Sequence, residues 1–86
     1  QEPNLHPEIQ VTTLLLDDAC SWNGQSLQEI HLRAEHGVSL VALRRQGKML
    51  LDLSSETILQ ADDELFLIGS PEKMRQVAQL LRIEAV

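Results

Sequence analysis

Eighty-six residues, 43% hydrophobic and 23% charged, suffice for one domain with a single modest core and lie far from a disordered composition. A formal net charge of −6 sets a repulsive background for nucleic acid, whose binding relies on Lys and Arg neutralising phosphates, so no nucleic-acid partner is expected. The lone Cys20 excludes an internal disulfide and makes the reducing cytoplasm the simplest compartment, and no apolar run approaches the roughly 20 residues that cross a bilayer.

Residues 1–8 contain Pro3 and Pro7 and read as a linker; a start at Gln1 without Met is expected of a piece of a longer polypeptide. The domain is expected over residues 9–86. Ile9 to Leu16, β-branched and apolar up to Asp17-Asp18, reads as a first strand, followed by a loop to Gln25. Ser26 with Glu29 three residues on forms a capping-box pattern. A helix of about three turns should follow, with Leu27, Ile30, His31 and Ala34 on one face and Gly37 ending it. Leu32 falls some 140° from Leu27 on such a helix, off the core face, and should touch something else: a partner copy, or the next strand.

Val38 to Leu43 is short and almost continuously apolar, as in a central strand covered on both faces. Gln46-Gly47 signals a turn into Lys48 to Leu53, where Met49, Leu51 and Leu53 share one face and Lys48 and Asp52 the other. Ile58 and Leu59 suggest a short extended piece, and Glu64 to Ile68 a last strand ending at Gly69. Ser70-Pro71-Glu72 then supplies an N-cap, a first-turn proline and an acid at the positive end of a second helix, whose stripe is Met74, Val77, Ala78 and Leu81, with Arg82 in its last turn. The fold class is therefore α+β, a small mostly antiparallel sheet with two helices in the order β-α-β-β-β-α. With only Trp22 and Phe66 as aromatics, the core must be built from Leu, Ile, Val, Ala and Met, and small cores of that kind often gain stability by pairing.

The chain shows no complete catalytic constellation, and no enzymatic activity is expected of it. Phosphate-loop and nucleophile-elbow motifs are missing. His31 and His36 diverge by about 140° on a helix and His6 sits in the linker, so no metal site is expected. Cys20 has Asp17 and Asp18 nearby, which oppose a reactive thiolate. Asp62, Asp63 and Glu64 read as a solvated turn or a weak calcium contact. Arg33, Arg44, Arg45 and Lys48 against Glu35 give the stretch from Ile30 to Leu51 a local charge of +3, either a solvated surface or a place for a small anionic ligand.

Gly24-Gln25-Ser26-Leu27-Gln28-Glu29-Ile30-His31-Leu32-Arg33, then Gly37-Val38-Ser39-Leu40-Val41-Ala42-Leu43-Arg44-Arg45, then Leu59-Gln60-Ala61-Asp62-Asp63-Glu64-Leu65 and Leu67-Ile68-Gly69-Ser70, in that order and spacing, resemble the TrkA-C family over roughly residues 9–82. The family, also called RCK-C, comprises C-terminal regulatory domains of potassium channels, potassium uptake systems and cation/proton antiporters. The resemblance implies a cytoplasmic regulatory domain that pairs as a homodimer, follows a nucleotide-binding domain or a membrane channel or transporter, and does not itself enter the membrane. Some members bind cyclic di-AMP in a cleft at the dimer interface. Carried over by position, Leu32, Arg33, Ala34, Ser39 and Leu40 would line that cleft, Arg33 on phosphate; Leu32, off the helix stripe, and Val38, Leu40 and Ala42 of the apolar strand are the expected dimer interface. Ser39 stands where many cyclic di-AMP binders have Asn, and Asp62 replaces a family glycine. A structural dimerisation module without ligand and an accessory domain of an upstream enzyme are the competing readings.

Overall fold

The structure is a computed structural model describing residues 9–85, with side chains through Leu81. The expected linker over residues 1–8, His6 within it, and the Arg82 side chain lie outside the described residues. Elements follow the expected order: β1 (Gln10–Leu15), α1 (Leu27–Ile30), a π-helical turn (Leu32–His36), β2 (Ser39–Arg45), β3 (Lys48–Leu50), β4 (Glu64–Gly69) and α2 (Pro71–Ala85). The strands form one sheet in the order β1-β4-β2-β3, each neighbouring pair antiparallel.

Alternation along β4 decides which face is the core. Leu65 and Leu67 are fully buried, with Leu14 and Leu43 opposite Leu65 and with Thr12 and Leu40 opposite Leu67. α2 packs on β1 and β4 and adds Met74, Val77 and Leu81, while Leu16 and Leu59 fill the space between sheet and loops. Burying each such Leu stabilises the fold by roughly 1.5–3 kcal/mol. The opposite sheet face stays open: Val11, Leu15 and Met49 are exposed there, and the Arg44 guanidinium lies 5.6 Å from the Phe66 ring centre and 3.0 Å from Glu64.

The first helix departs from expectation. The capping box forms as read, with the Glu29 N–H donating to Ser26 Oγ (3.2 Å) and the Ser26 N–H to Glu29 Oε1 (2.9 Å). The α-helix nevertheless ends after Ile30, because His31 adopts a left-handed conformation (φ 58°, ψ 53°) and the chain resumes as a wider π turn that closes on Gly37 (φ 72°). This break resets the helical phase. Leu32, expected off the core, turns into it at 6% exposure, whereas His31 and Ala34, expected on the apolar face, are exposed.

Further expectations are corrected in the strands and the loop before α1. β3 stops at Leu50 rather than Leu53, since its ladder would next meet Ala42, where a bulge around Val41 interrupts β2; Leu50, not Met49, faces the core. The same bulge leaves Val41 46% exposed on a strand expected to be covered on both faces. Trp22, assigned to a loop, is 4% exposed and joins the core beside Cys20, its ring 5.4 Å from that of His36. The expected hairpin turn is present, Gln46 and Gly47 both having positive φ (53° and 79°) as a tight two-residue turn requires.

Asp62 occupies a left-handed position (φ 71°). Glycine adopts that backbone without a Cβ clash, and Asp tolerates it only at some cost. Asp62→Gly is accordingly expected to stabilise the domain by about 0.5 kcal/mol after the entropy of the unfolded glycine is subtracted, raising Tm by roughly 3 °C. An unchanged or lower Tm would mean that the Asp62 carboxylate compensates for the backbone.

Candidate functional site

The π turn, α1 and the start of β2 enclose a groove of about 540 Å³. It is lined by Leu27, Gln28, His31, Leu32, Arg33 and Ala34 from α1 and the turn, by Ser39 and Leu40 from β2, and by Ser55, which forms a rim from the β3–β4 connector. All five residues assigned to a ligand cleft by resemblance thus lie together. The break at His31 makes this possible: it turns Leu32 inward as an anchor and leaves Arg33 and Ala34 outside. The Val38 N–H then donates to the Leu32 carbonyl (3.4 Å), tying the π turn to the residue before β2.

The rim is held from the connector between β3 and β4. The Gln28 N–H donates to Ser55 O (2.8 Å) and the Leu27 N–H to Thr57 O (3.0 Å), while Ser26 and Ile58 form an isolated antiparallel bridge. Sequence reading placed an extended piece at Ile58–Leu59 but gave no hint that this connector would meet the capped helix start.

Charge at the groove resolves the basic stretch. Arg44 pairs with Glu64 at 3.0 Å, and Arg45 makes a two-pronged contact with Asp63, Nε to Oδ1 at 2.9 Å and Nη2 to Oδ2 at 2.7 Å. Asp63, expected in a solvated turn, is 1% exposed. Burial pushes its carboxyl up, but hydrogen bonds from Arg45 and the Gln60 N–H, with the Arg45 charge, outweigh that and hold it below the usual carboxylate range. The Arg45 guanidinium is raised in turn by its hydrogen bond to Asp63. Glu29, four residues before Arg33, is spent on the capping box. Arg33 consequently has no acidic partner among the described residues and is exposed at the groove.

The expected dimer residues divide. Leu32, Val38 and Ala42 are 6%, 1% and 4% exposed within a single copy, and only Leu40 is half-buried and open to the groove. No group of three or more potential metal ligands occurs among the described residues, and none of their helices is long and apolar enough to cross a membrane. Cys20 is buried, and its Sγ accepts from the Trp22 N–H at 3.4 Å.

A smaller groove of about 370 Å³ shares Arg33 and Ser39 and extends past Gly37 to Ile68, Gly69, Ser70 and Ile9. Arg33 therefore stands between two concavities.

Comparison with known proteins gives a consistent answer. The family model of the TrkA-C domain matches residues 11–82. No curated protein sequence matches the chain. Among solved structures, the RCK_C domain dimer of S. agalactiae BusR in complex with c-di-AMP superposes with a TM-score of 0.77 at 15% identity, covering 85% of this chain and 96% of that one. The RCK C domain of the potassium transport protein KtrA, also in complex with c-di-AMP, gives 0.75 at 21% identity, covering 84% and 82%. The GsuK RCK domain gives 0.73 at 28% identity, covering 87% of this chain but only 16% of that one. BusR is also known in complex with its busAB-promotor DNA, where this chain matches 35% of the BusR chain.

Proposed function

The chain belongs to the TrkA-C domain family, and we propose that it is the cytoplasmic regulatory domain of a potassium or other monovalent-cation channel or transporter, working as a pair of copies that binds a phosphate-bearing nucleotide. The observation that carries this reading is the groove itself, where the guanidinium of Arg33, without an acidic partner among the described residues, lines one concavity with the Ser39 hydroxyl and apolar Leu32 and Leu40. Planar guanidinium suits phosphate oxygens through two parallel hydrogen bonds. The groove volume falls in the range of small-molecule sites. It is open to solvent, and a second copy placed across Leu40 and Ala34 would close it, leaving buried Leu32, Val38 and Ala42 to support that surface.

Cyclic di-AMP is the first candidate because BusR and KtrA hold it in the domains this chain resembles, and because a two-fold ligand with two phosphates suits a two-fold pair presenting two copies of Arg33. Regulation then requires that the ligand bind one arrangement of the pair better than another, since equal affinity would shift nothing. Direct DNA contact is not part of the proposal: the net charge of −6 opposes it, and in a BusR-like protein it would fall to the remainder of the chain.

The test is a titration of cyclic di-AMP, ATP, NADH and calcium followed by calorimetry and by Tm. Cyclic di-AMP should raise Tm, and Arg33→Ala should weaken its binding by roughly 30- to 100-fold, the equivalent of about 2–3 kcal/mol for a charge-assisted pair. Silence of all four compounds on both readouts would sink ligand binding and leave the structural dimerisation module.

A further inference from the structure

The two margins of the sheet are guarded differently. β3, at one margin, is three residues long and begins at Lys48, so it offers little to a foreign strand. β1, at the other margin, runs six residues from Gln10 to Leu15 in unbroken register with β4 and contains neither a charged residue nor a proline. Short length, lysine, proline and bulges are the usual protections of an edge, and β1 has none of them.

Backbone direction shows which residues the edge offers. The Leu16 N–H donates to Asp63 O and the Leu16 carbonyl accepts from the Asp62 N–H, both at 2.8 Å, so residue 16 turns both groups toward the β4 side. These groups alternate sides along a strand, so Gln10, Thr12 and Leu14 also face β4, and Val11, Thr13 and Leu15 point outward. Among the described residues nothing pairs with them. The same positions carry exposed apolar side chains onto the open sheet face: Val11 is 61% and Leu15 67% exposed, and the adjoining Ile9 66%.

We propose that β1 is a self-association edge, pairing antiparallel with β1 of a second copy to join two four-stranded sheets into one of eight strands. Only an odd-with-odd register lets outward groups on both strands bond each other. Centred on Thr12, that register sets Ile9 against Leu15 and Val11 against Thr13 of the second copy on the open face, and Gln10 against Leu14 on the covered one. Charge selects the same place. Two copies of a chain with net charge −6 repel, yet from Ile9 to Leu16 there is no acid, and Glu8 and Asp17, which flank it in sequence, both fall outside the paired stretch. A seven-residue strand pair is smaller than a standard interface of about 1,600 Å², so the edge acts at high local concentration, bringing together copies already gathered in an assembly. β4 separates β1 from β2 and the larger groove, Ile9 alone lining the smaller one, and the proposal does not rest on ligand binding.

Cysteine capture tests it. In the stated register Thr12 faces its own copy across the axis as a non-hydrogen-bonded pair about 4.5 Å apart between Cα atoms, within disulfide reach. Thr12→Cys at about 100 μM under mild oxidation should give a covalent dimer, at least tenfold more than Thr13→Cys or the unsubstituted chain with its buried Cys20. Thr13→Pro removes an outward N–H without touching the β4 ladder, and Thr13→Lys adds a charge to an exposed site. Either should cut the Thr12→Cys yield at least tenfold and abolish one concentration-dependent step in velocity sedimentation, with an unchanged circular dichroism spectrum. Arg33→Ala, which alters the larger groove at an exposed side chain, should leave the cross-link intact. Equal cross-linking by Thr12→Cys and Thr13→Cys, or none, or sedimentation of Thr13→Lys identical to the unsubstituted chain, would overturn the proposal.

Discussion

Asp63→Ala should destabilise the domain by about 3 kcal/mol, because it leaves the Arg45 guanidinium in a largely buried site without its two-pronged partner and deprives the Gln60 N–H of its acceptor. For a chain of this size the loss corresponds to a fall in Tm of roughly 15 °C. Arg45 also donates to the Ile58 carbonyl at 2.9 Å, so the pair fastens the β3–β4 connector to β2, and its loss should be felt along that whole segment. Arg45→Met should be comparably damaging, whereas Arg45→Met with Asp63→Leu should recover most of the stability, since an apolar pair carries no desolvation penalty. A single-variant cost below about 0.5 kcal/mol would show that solvent already screens the pair.

The pH dependence follows from the direction of the shift. The Asp63 carboxyl is held below its ordinary value in the folded state, so its contribution is fully present above the unfolded-state value of about 3.9 and is lost as pH falls through the lower folded value. Denaturation curves for the unsubstituted chain and Asp63→Asn should therefore stay separated from pH 7 down to about 4 and converge below it. A gap that persists unchanged to pH 2 would contradict the ionic origin.

Leu32→Ala is the second large effect. The side chain is 6% exposed within one copy, so truncation should leave a core cavity and cost about 3 kcal/mol. Because that burial is internal, the loss in Tm should be the same at 5 and 200 μM protein. Had Leu32 served mainly as a partner contact, the cost would shrink on dilution, as mass action requires. Chemical denaturation at the two concentrations separates these outcomes.

Leu32 also shows where sequence reading reaches its limit. The capping box at Ser26 and Glu29, the Gln46-Gly47 turn and the Ser70-Pro71 start of α2 are local signals, each with its own chemistry, and all three appear where read. A left-handed His31 is not such a signal, because nothing in composition marks it and a three-turn amphipathic stripe is an equally good fit to the same letters. The one trace it left was the misfit of Leu32 itself, an apolar residue off the stripe of a regular helix. Asp63 was obscured for a different reason: among three consecutive acids, only tertiary placement distinguishes the one that meets Arg45, 18 residues away. Trp22 likewise lies in a segment without periodicity, and its burial depends on the loop folding back over the core. Leu32, Arg33, Ala34, Ser39 and Leu40 were assigned to a cleft by resemblance; Leu27, Gln28 and His31, and Ser55 from a connector distant in sequence, were not.

The two left-handed joints at His31 and Gly37 have a mechanical consequence. A continuous helix would carry a pull on Arg33 along its axis, back toward Ser26. Here the five residues Leu32–His36 are bounded by joints at both ends, and that short span is attached through the Leu32 side chain in the core, the Glu35 N–H to the His31 carbonyl (2.9 Å) and the Val38 N–H to the Leu32 carbonyl (3.4 Å). Force applied at the guanidinium therefore has a route into the sheet at the head of β2, and through its ladder to β4, beside the one back to α1 through His31.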